Sequence, residues 1–163
     1  MLFKNKYRIE SSRLKGYDYS SPGAYFVTIV TKNRRCLFGI IEKDEMILND
    51  LGKIVNNYWK KIPKQFPYVI LDEYIVMPNH VHGIITLDES ESHKKRQPIG
   101  VIINQFKGNC TISIRFVDIK FGWQPRFHDH IIRDEEELIR IRQYIIDNPK
   151  NWHLDDNFRN PDG

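Results

Sequence analysis

Apolar positions along this chain follow two periods, and the switches between them mark the elements. Residues 25–31 are aromatic or β-branched, from Tyr25 and Phe26 to Thr31, and predict a first strand. After Asn49-Asp50, Leu51, Ile54, Val55, Tyr58, Trp59 and Ile62 keep helical spacing and predict an amphipathic helix. Residues 68–76 and 80–87 predict a second and a third strand, and the short Met77-Pro78-Asn79 link between them implies antiparallel pairing. A polar, charged loop is expected over 88–97. Ile99, Ile102, Ile103 and Phe106 indicate a second helix that breaks near Gly108, and 111–116 fits either a strand or a continuing helix. Residues 123–132 can supply a further strand. Residues 134–148 read as a last helix, with Asp134 as N-cap, Glu137 three positions on as in a capping box, and Pro149 as the stop. The polar stretch 155–163, with Pro161, is expected to be a frayed, flexible tail. No internal repeat interrupts this order. It describes an α+β sandwich of helices on an antiparallel sheet.

The third predicted strand opens on two histidines. His80 and His82 alternate with Val81, so both project from one face, roughly 7 Å apart at the backbone. That spacing lets two imidazoles converge on one metal ion and leaves positions for other ligands. Taken alone it also fits a polar rim on a half-buried strand.

The last helix adds a second set. Leu138, Ile141 and Ile145 would face the core, while Glu137, Arg140, Tyr144 and Asn148 form an adjacent stripe. Tyr144 and Asn148 are four apart and share a face, so the amide carbonyl of Asn148 can lie beside the Tyr144 hydroxyl. An interfacial tyrosine and an ordinary C-terminal asparagine would give the same spacing.

Length and charge change this picture little. The 163 residues fit one domain, close to the usual size of about 150. Hydrophobic content of 40% and charged content of 28% describe an ordinary globular chain. The net charge of +4 is compatible with a polyanionic partner without specifying one. The opening residues 1–15 carry no apolar core of a secretory signal, and no stretch suits a membrane span. Cys36 and Cys110 have no CxxC partner, so reduced thiols and a cytoplasmic location are expected.

An ordered series of strings then carries a resemblance. It begins with Ala24-Tyr25-Phe26-Val27-Thr28-Ile29-Val30-Thr31 and Cys36-Leu37-Phe38-Gly39. It continues with Tyr74-Ile75-Val76-Met77-Pro78-Asn79-His80-Val81-His82 and Phe106-Lys107-Gly108. It closes with Trp123-Gln124, Asp129-His130-Ile131-Ile132-Arg133-Asp134-Glu135, Tyr144 and Asn148-Pro149. In these the chain resembles the single-tyrosine transposases of the HUH nuclease class, in the branch called REP-associated tyrosine transposases. The resemblance implies a ferredoxin-like or RRM-like architecture, with the histidines on a central strand and the tyrosine helix across their face.

It also implies roles. His80 and His82 match the family's metal-binding histidines, Tyr144 its nucleophile, and Asn148 stands where the family places an amide-type ligand, often glutamine in other branches. A phenol of pKa about 10 is a poor nucleophile at neutral pH, so it needs a phosphate polarised by a cation. Imidazole suits Mn²⁺, and a site completed by water and phosphate also accommodates Mg²⁺. The implied activity is cleavage and rejoining of single-stranded or hairpin DNA at repeats through a 5′-phosphotyrosine link, by a monomer or homodimer. A binding module of the same fold without catalysis, and a phosphodiesterase that uses activated water, are the alternatives.

Further candidates are weaker. Lys94, Lys95, Arg96, Lys107, Arg126 and Arg133, and beside them Lys32, Arg34 and Arg35, can touch phosphate, or each can be a solvated charge. Tyr25, Trp123 and Phe127 can stack on bases or pack in the core. His128 and His130 around Asp129 form a second alternating pair that could also bind metal, with a structural or DNA-positioning role favoured. His93 and His153 are expected in solvent.

Overall fold

The computed structural model describes residues 14–89 and 95–160. Most of the opening segment, His93, Lys94 and the last three positions of the expected tail lie outside the described residues. In chain order come β1 (Gly23–Val30), β2 (Gly39–Glu42), β3 (Glu45–Leu48), α1 (Asp50–Lys60), the short α2 (Ile62–Gln65), β4 (Val69–Met77), β5 (His80–Leu87), α3 (Ile99–Ile114), β6 (His128–Ile132) and α4 (Glu135–Ile146). The main sheet has the order β4-β5-β1-β6, and every neighbouring pair is antiparallel. β5 lies between β1 and β4, and β1 lies between β5 and β6. Two βαβ units therefore interlock, which is the ferredoxin-like arrangement expected from the sequence.

The two faces of this sheet do different work. Tyr25, Val27 and Ile29 of β1, with Val81, Ile85 and Leu87 of β5, point towards α1 and α3 and form the main core with Val55, Trp59, Ile103 and Phe106. Side chains alternate along a strand. Phe26 and Ile84 accordingly point the other way, into a smaller cluster closed by Ile141 and Ile145 of α4. Helices thus cover both faces of β1, which explains its nearly unbroken apolar sequence.

One glycine holds the main core against the site. An added Cβ on Gly83 would lie 2.2 Å from Cζ2 of Trp59, so the indole of α1 rests directly on the β5 backbone. Gly83 separates His82 from Ile84, and the strand that carries the histidines is pinned from behind.

α4 is fixed by its cap and by a clamp. Asp134 Oδ1 accepts from the Glu137 amide at 2.8 Å, as the sequence predicts. The Glu137 carboxylate does not close the capping box on Asp134. It accepts from the Arg133 amide at 3.0 Å and lies 3.0 Å from His130 Nε2. At mid-helix Arg142 gives two hydrogen bonds to Asp72, 2.8 and 2.7 Å long. Asp72 sits where β4 slips register between Leu71 and Tyr74, so a β-bulge presents the carboxylate to the helix.

Four expectations need correction. α3 does not break at Gly108 but continues to Ile114, because Ile102, Ile103, Phe106, Cys110 and Ile114 are buried at helical spacing. That burial outweighs the cost of one glycine, about 1 kcal/mol. Of the strand expected over 123–132 only His128–Ile132 forms; Trp123 makes an isolated bridge to Thr31, and Pro125 stands between. The β2–β3 hairpin was not foreseen. Its two-residue turn is Lys43-Asp44, both at positive φ (51° and 62°), in place of the asparagine-glycine pair that signals such turns. Finally, residues 155–160 do not begin a frayed tail: Asp155 and Asn157 are buried and hydrogen-bonded.

Candidate metal and tyrosine site

β5 begins at His80, and its register opposite β1 places His80 across from Val30 and His82 across from Thr28. Both imidazoles point to the α4 face, are essentially inaccessible to solvent, and have ring centroids 4.5 Å apart. Tyr144 reaches the same face from α4. Its half-buried ring lies 5.6 Å from that of His82 and 6.1 Å from that of Phe26, edge-on to both. The distant elements that the sequence singled out therefore meet.

Hydrogen bonds set the orientation of the histidines. The Asn79 side-chain amide donates through Nδ2 to the carbonyls of Arg34 (3.0 Å) and Asn157 (2.6 Å). Its Oδ1 is thereby turned to His80 Nδ1, 2.8 Å away. An amide oxygen only accepts, so Nδ1 carries the proton, and Nε2 is the nitrogen turned to the site. His82 Nδ1 lies 2.9 Å from Thr28 Oγ1, which anchors that ring and leaves Nε2 on the far side. Outer bonds of this kind fix ring direction in metal sites.

Sequence reasoning missed one member. Asp155 Oδ2 lies 3.7 Å from His80 Nε2, and one ligand atom from each of His80, His82 and Asp155 falls within 4.8 Å of the others. All three are buried, so the group could hold a metal ion. Asp155 lies in an aperiodic polar stretch without signal of its own. It is held by the Asn157 amide, which donates to Oδ1 at 2.7 Å, while the Trp152 ring stands 6.0 Å from that of His80. The segment after α4 thus walls one side of the site.

Asn148 follows the end of α4. Its Nδ2 donates to the Tyr144 carbonyl at 3.3 Å, whereas its Oδ1 is buried and accepts no hydrogen bond among the described residues. A buried amide oxygen without a donor is costly. Two imidazoles and a carboxylate form a donor set that fits a divalent cation, and the unsatisfied amide oxygen of Asn148 stands one helical turn beyond Tyr144.

The other candidates scatter. Arg96 donates to the carbonyls of Ser20 and Asp88, and with Lys95 it lies beyond the Leu87 end of β5. That is roughly 24 Å along the strand from His80. Lys107 is half-buried with its Nζ on the Gln124 carbonyl at 2.8 Å, and burial lowers its pKa. Arg126 and Arg133 are exposed on either side of β6. His130 is buried against Glu137, in the helix-start network, and His128 is exposed. Tyr25 and Trp123 belong to the main core, and Phe127 packs against it. Both thiols are free, and burial pushes the pKa of each up.

Comparison with known proteins gives the same direction. No family model matches the chain. An uncharacterised protein of Haemophilus influenzae is 42% identical over 162 residues, covering 89% of this chain and 90% of its own. A REP-associated tyrosine transposase of Escherichia coli is 28% identical over 134 residues, covering 80% of this chain and 68% of its own. Among solved structures, a REP-associated tyrosine transposase bound to a REP hairpin superposes with a TM-score of 0.65 at 25% identity, over 86% of this chain and 73% of its own. A transposase-like protein of Deinococcus radiodurans shares the fold, with a TM-score of 0.52 at 18% identity. Among the described residues no helix is long and apolar enough to cross a membrane.

Proposed function

The chain belongs to the REP-associated tyrosine transposases, and from this we propose that it cleaves and rejoins single-stranded DNA at hairpin-forming repeats through Tyr144. The observation that carries the reading is the Tyr144 ring 5.6 Å from His82, on the face where His80 and His82 converge. Tyr144 Oη attacks the scissile phosphorus, forming a 5′-phosphotyrosine bond. The P–O3′ bond breaks, and the phenolic proton is balanced by the proton gained on the released 3′-hydroxyl. Rejoining reverses the exchange, so no nucleotide cofactor is consumed.

His80, His82, Asp155 and Asn148 would hold a divalent cation, Mg²⁺ or Mn²⁺. Held there, it would supply polarisation of the phosphate and charge compensation in the transition state. Asn79 and Thr28 orient the imidazoles, and Phe26 with the α4 stripe fixes the phenol. The tyrosine helix docks on the histidine strand of its own chain, which supports action as a monomer. Exposed Arg126 and Arg133 beside β6 are proposed DNA contacts, with Lys107 positioning the segment before it. A DNA substrate supports the expected cytoplasmic location.

The test is a covalent adduct. Incubation of a labelled single-stranded repeat hairpin with the protein and Mn²⁺ or Mg²⁺ is expected to give a denaturation-resistant protein–DNA band. Tyr144→Phe removes the one oxygen that forms it. An undiminished adduct in that variant would defeat the assignment, and cleavage without any adduct would favour attack by water.

A further inference from the structure

β1 ends at the metal site, and the turn that follows leads to a second concavity. Lys32, Asn33 and Arg35 from this turn face Arg115, Ile119 and Lys120, from the end of α3 and the loop beyond it, across a cavity of about 610 Å³. Four cations share this space, and Asp118 pairs with one of them, Arg35, at 3.2 Å. Arg115 is steadied by its Nε on the Phe121 carbonyl at 3.0 Å. Lys32 and Lys120 are exposed, and no ion pair among the described residues engages either. Like charges gathered on a concave surface repel one another, and their fields add where an anion would sit.

Apolar groups accompany these cations. Ile119, which lines the cavity, is 77% exposed, and Phe116 and Val117, next along the chain after Arg115, are 88% and 74% exposed. A free phosphate ion would use only the cations. A nucleotide offers both an anionic backbone and a flat apolar base, which matches cations beside an exposed aromatic ring. The location ties the cavity to the chemistry. Arg34, between Lys32 and Arg35, gives its carbonyl to Asn79 Nδ2 at 3.0 Å, and Asn79 in turn orients His80. One tight turn therefore has the cation cavity on one side and the histidines on the other.

We propose that this cavity seats a backbone phosphate of the hairpin DNA away from the scissile one, with Phe116 against an adjoining base. This rests on the reading of the chain as a DNA strand transferase and specifies where the strand is gripped. Lys32 and Lys120 supply the charge, Arg115 and Arg35 shape the seat, and the turn transmits its position to Asn79.

The experiment is binding of a fluorescently labelled repeat hairpin to the full chain, by anisotropy over a series of NaCl concentrations. For Lys32→Gln/Lys120→Gln the slope of log affinity against log salt falls by about 1, with affinity down about tenfold or more at low salt. Phe116→Ala weakens binding with the slope unchanged, since an apolar contact releases no counterions. Lys53→Gln/Lys60→Gln, a charge-matched pair on exposed α1 positions, leaves the slope as in the wild type. Equal slopes for the two double variants overturn the proposal, as does the absence of hairpin binding by the wild type. The adduct assay separates the two readings. Salt-dependent hairpin binding through Lys32 and Lys120 without any adduct removes the catalytic reading and leaves the cavity standing. An adduct with unchanged slopes removes the cavity alone.

Discussion

The Asn79 side-chain oxygen accepts the Nδ1 proton of His80 across 2.8 Å, and two backbone carbonyls on Asn79 Nδ2 prevent the amide from turning over. A residue outside any metal contact thereby decides which imidazole nitrogen faces the site. Asn79→Ala removes this control and is expected to weaken Mn²⁺ binding about 10- to 100-fold, read by titration of the bound ion without DNA. Unchanged affinity would mean that strand packing alone orients the ring.

Asp155 permits a cleaner test of the ligand set. Its Oδ1 holds the Asn157 amide and its Oδ2 faces His80, so Asp155→Asn keeps the first contact and replaces the second by an uncharged amide. Mn²⁺ affinity is expected to drop about tenfold or more, since an anionic donor is lost, while the melting temperature moves little. A large fall in melting temperature with unaltered affinity would assign Asp155 to holding the segment after α4.

Gly83 gives a prediction on stability. An added methyl meets Trp59 Cζ2 at 2.2 Å, within a core that has no spare room. Gly83→Ala is expected to cost about 1–3 kcal/mol in urea unfolding, as overpacked cores do. Trp59→Leu in the same chain should restore part of it.

The Arg142–Asp72 clamp predicts a pH dependence. Hydrogen bonds from the Arg142 guanidinium hold the Asp72 carboxyl below the ordinary carboxylate range. A depressed native pKa means that the contribution is fully present above the unfolded value, near 4, and is lost as the pH falls below it. The difference in unfolding free energy between wild type and Asp72→Asn should therefore be constant at neutral pH and close as the solution is acidified. A gap that persists at the lowest pH would show that the carboxylate's charge contributes nothing.

The parts of this molecule legible in the sequence are those whose signal is periodic and local. His80 and His82 alternate around Val81, Leu138, Ile141 and Ile145 recur at helical spacing, and Asp134 caps as its type suggests. Each needs only its neighbours to be read. Gly108 misled because a local preference was weighed without the five buried residues that oppose it. The β2–β3 hairpin was hidden by Lys43 and Asp44, which adopt positive φ without being the residues that advertise it. Asp155 was invisible for another reason: it faces His80, and its neighbour Asn157 is tied to Asn79, contacts far back in the chain that no window around residue 155 contains.

That last dependence sets an order in time as well as in space. A ribosome releases β5 with both imidazoles well before it releases Asp155, Trp152 and Asn157. Until those later residues fold back, the paired histidines lack both their carboxylate and their wall. The candidate ion site is therefore assembled only after Asp155 has left the ribosome, long after the two histidines that it joins.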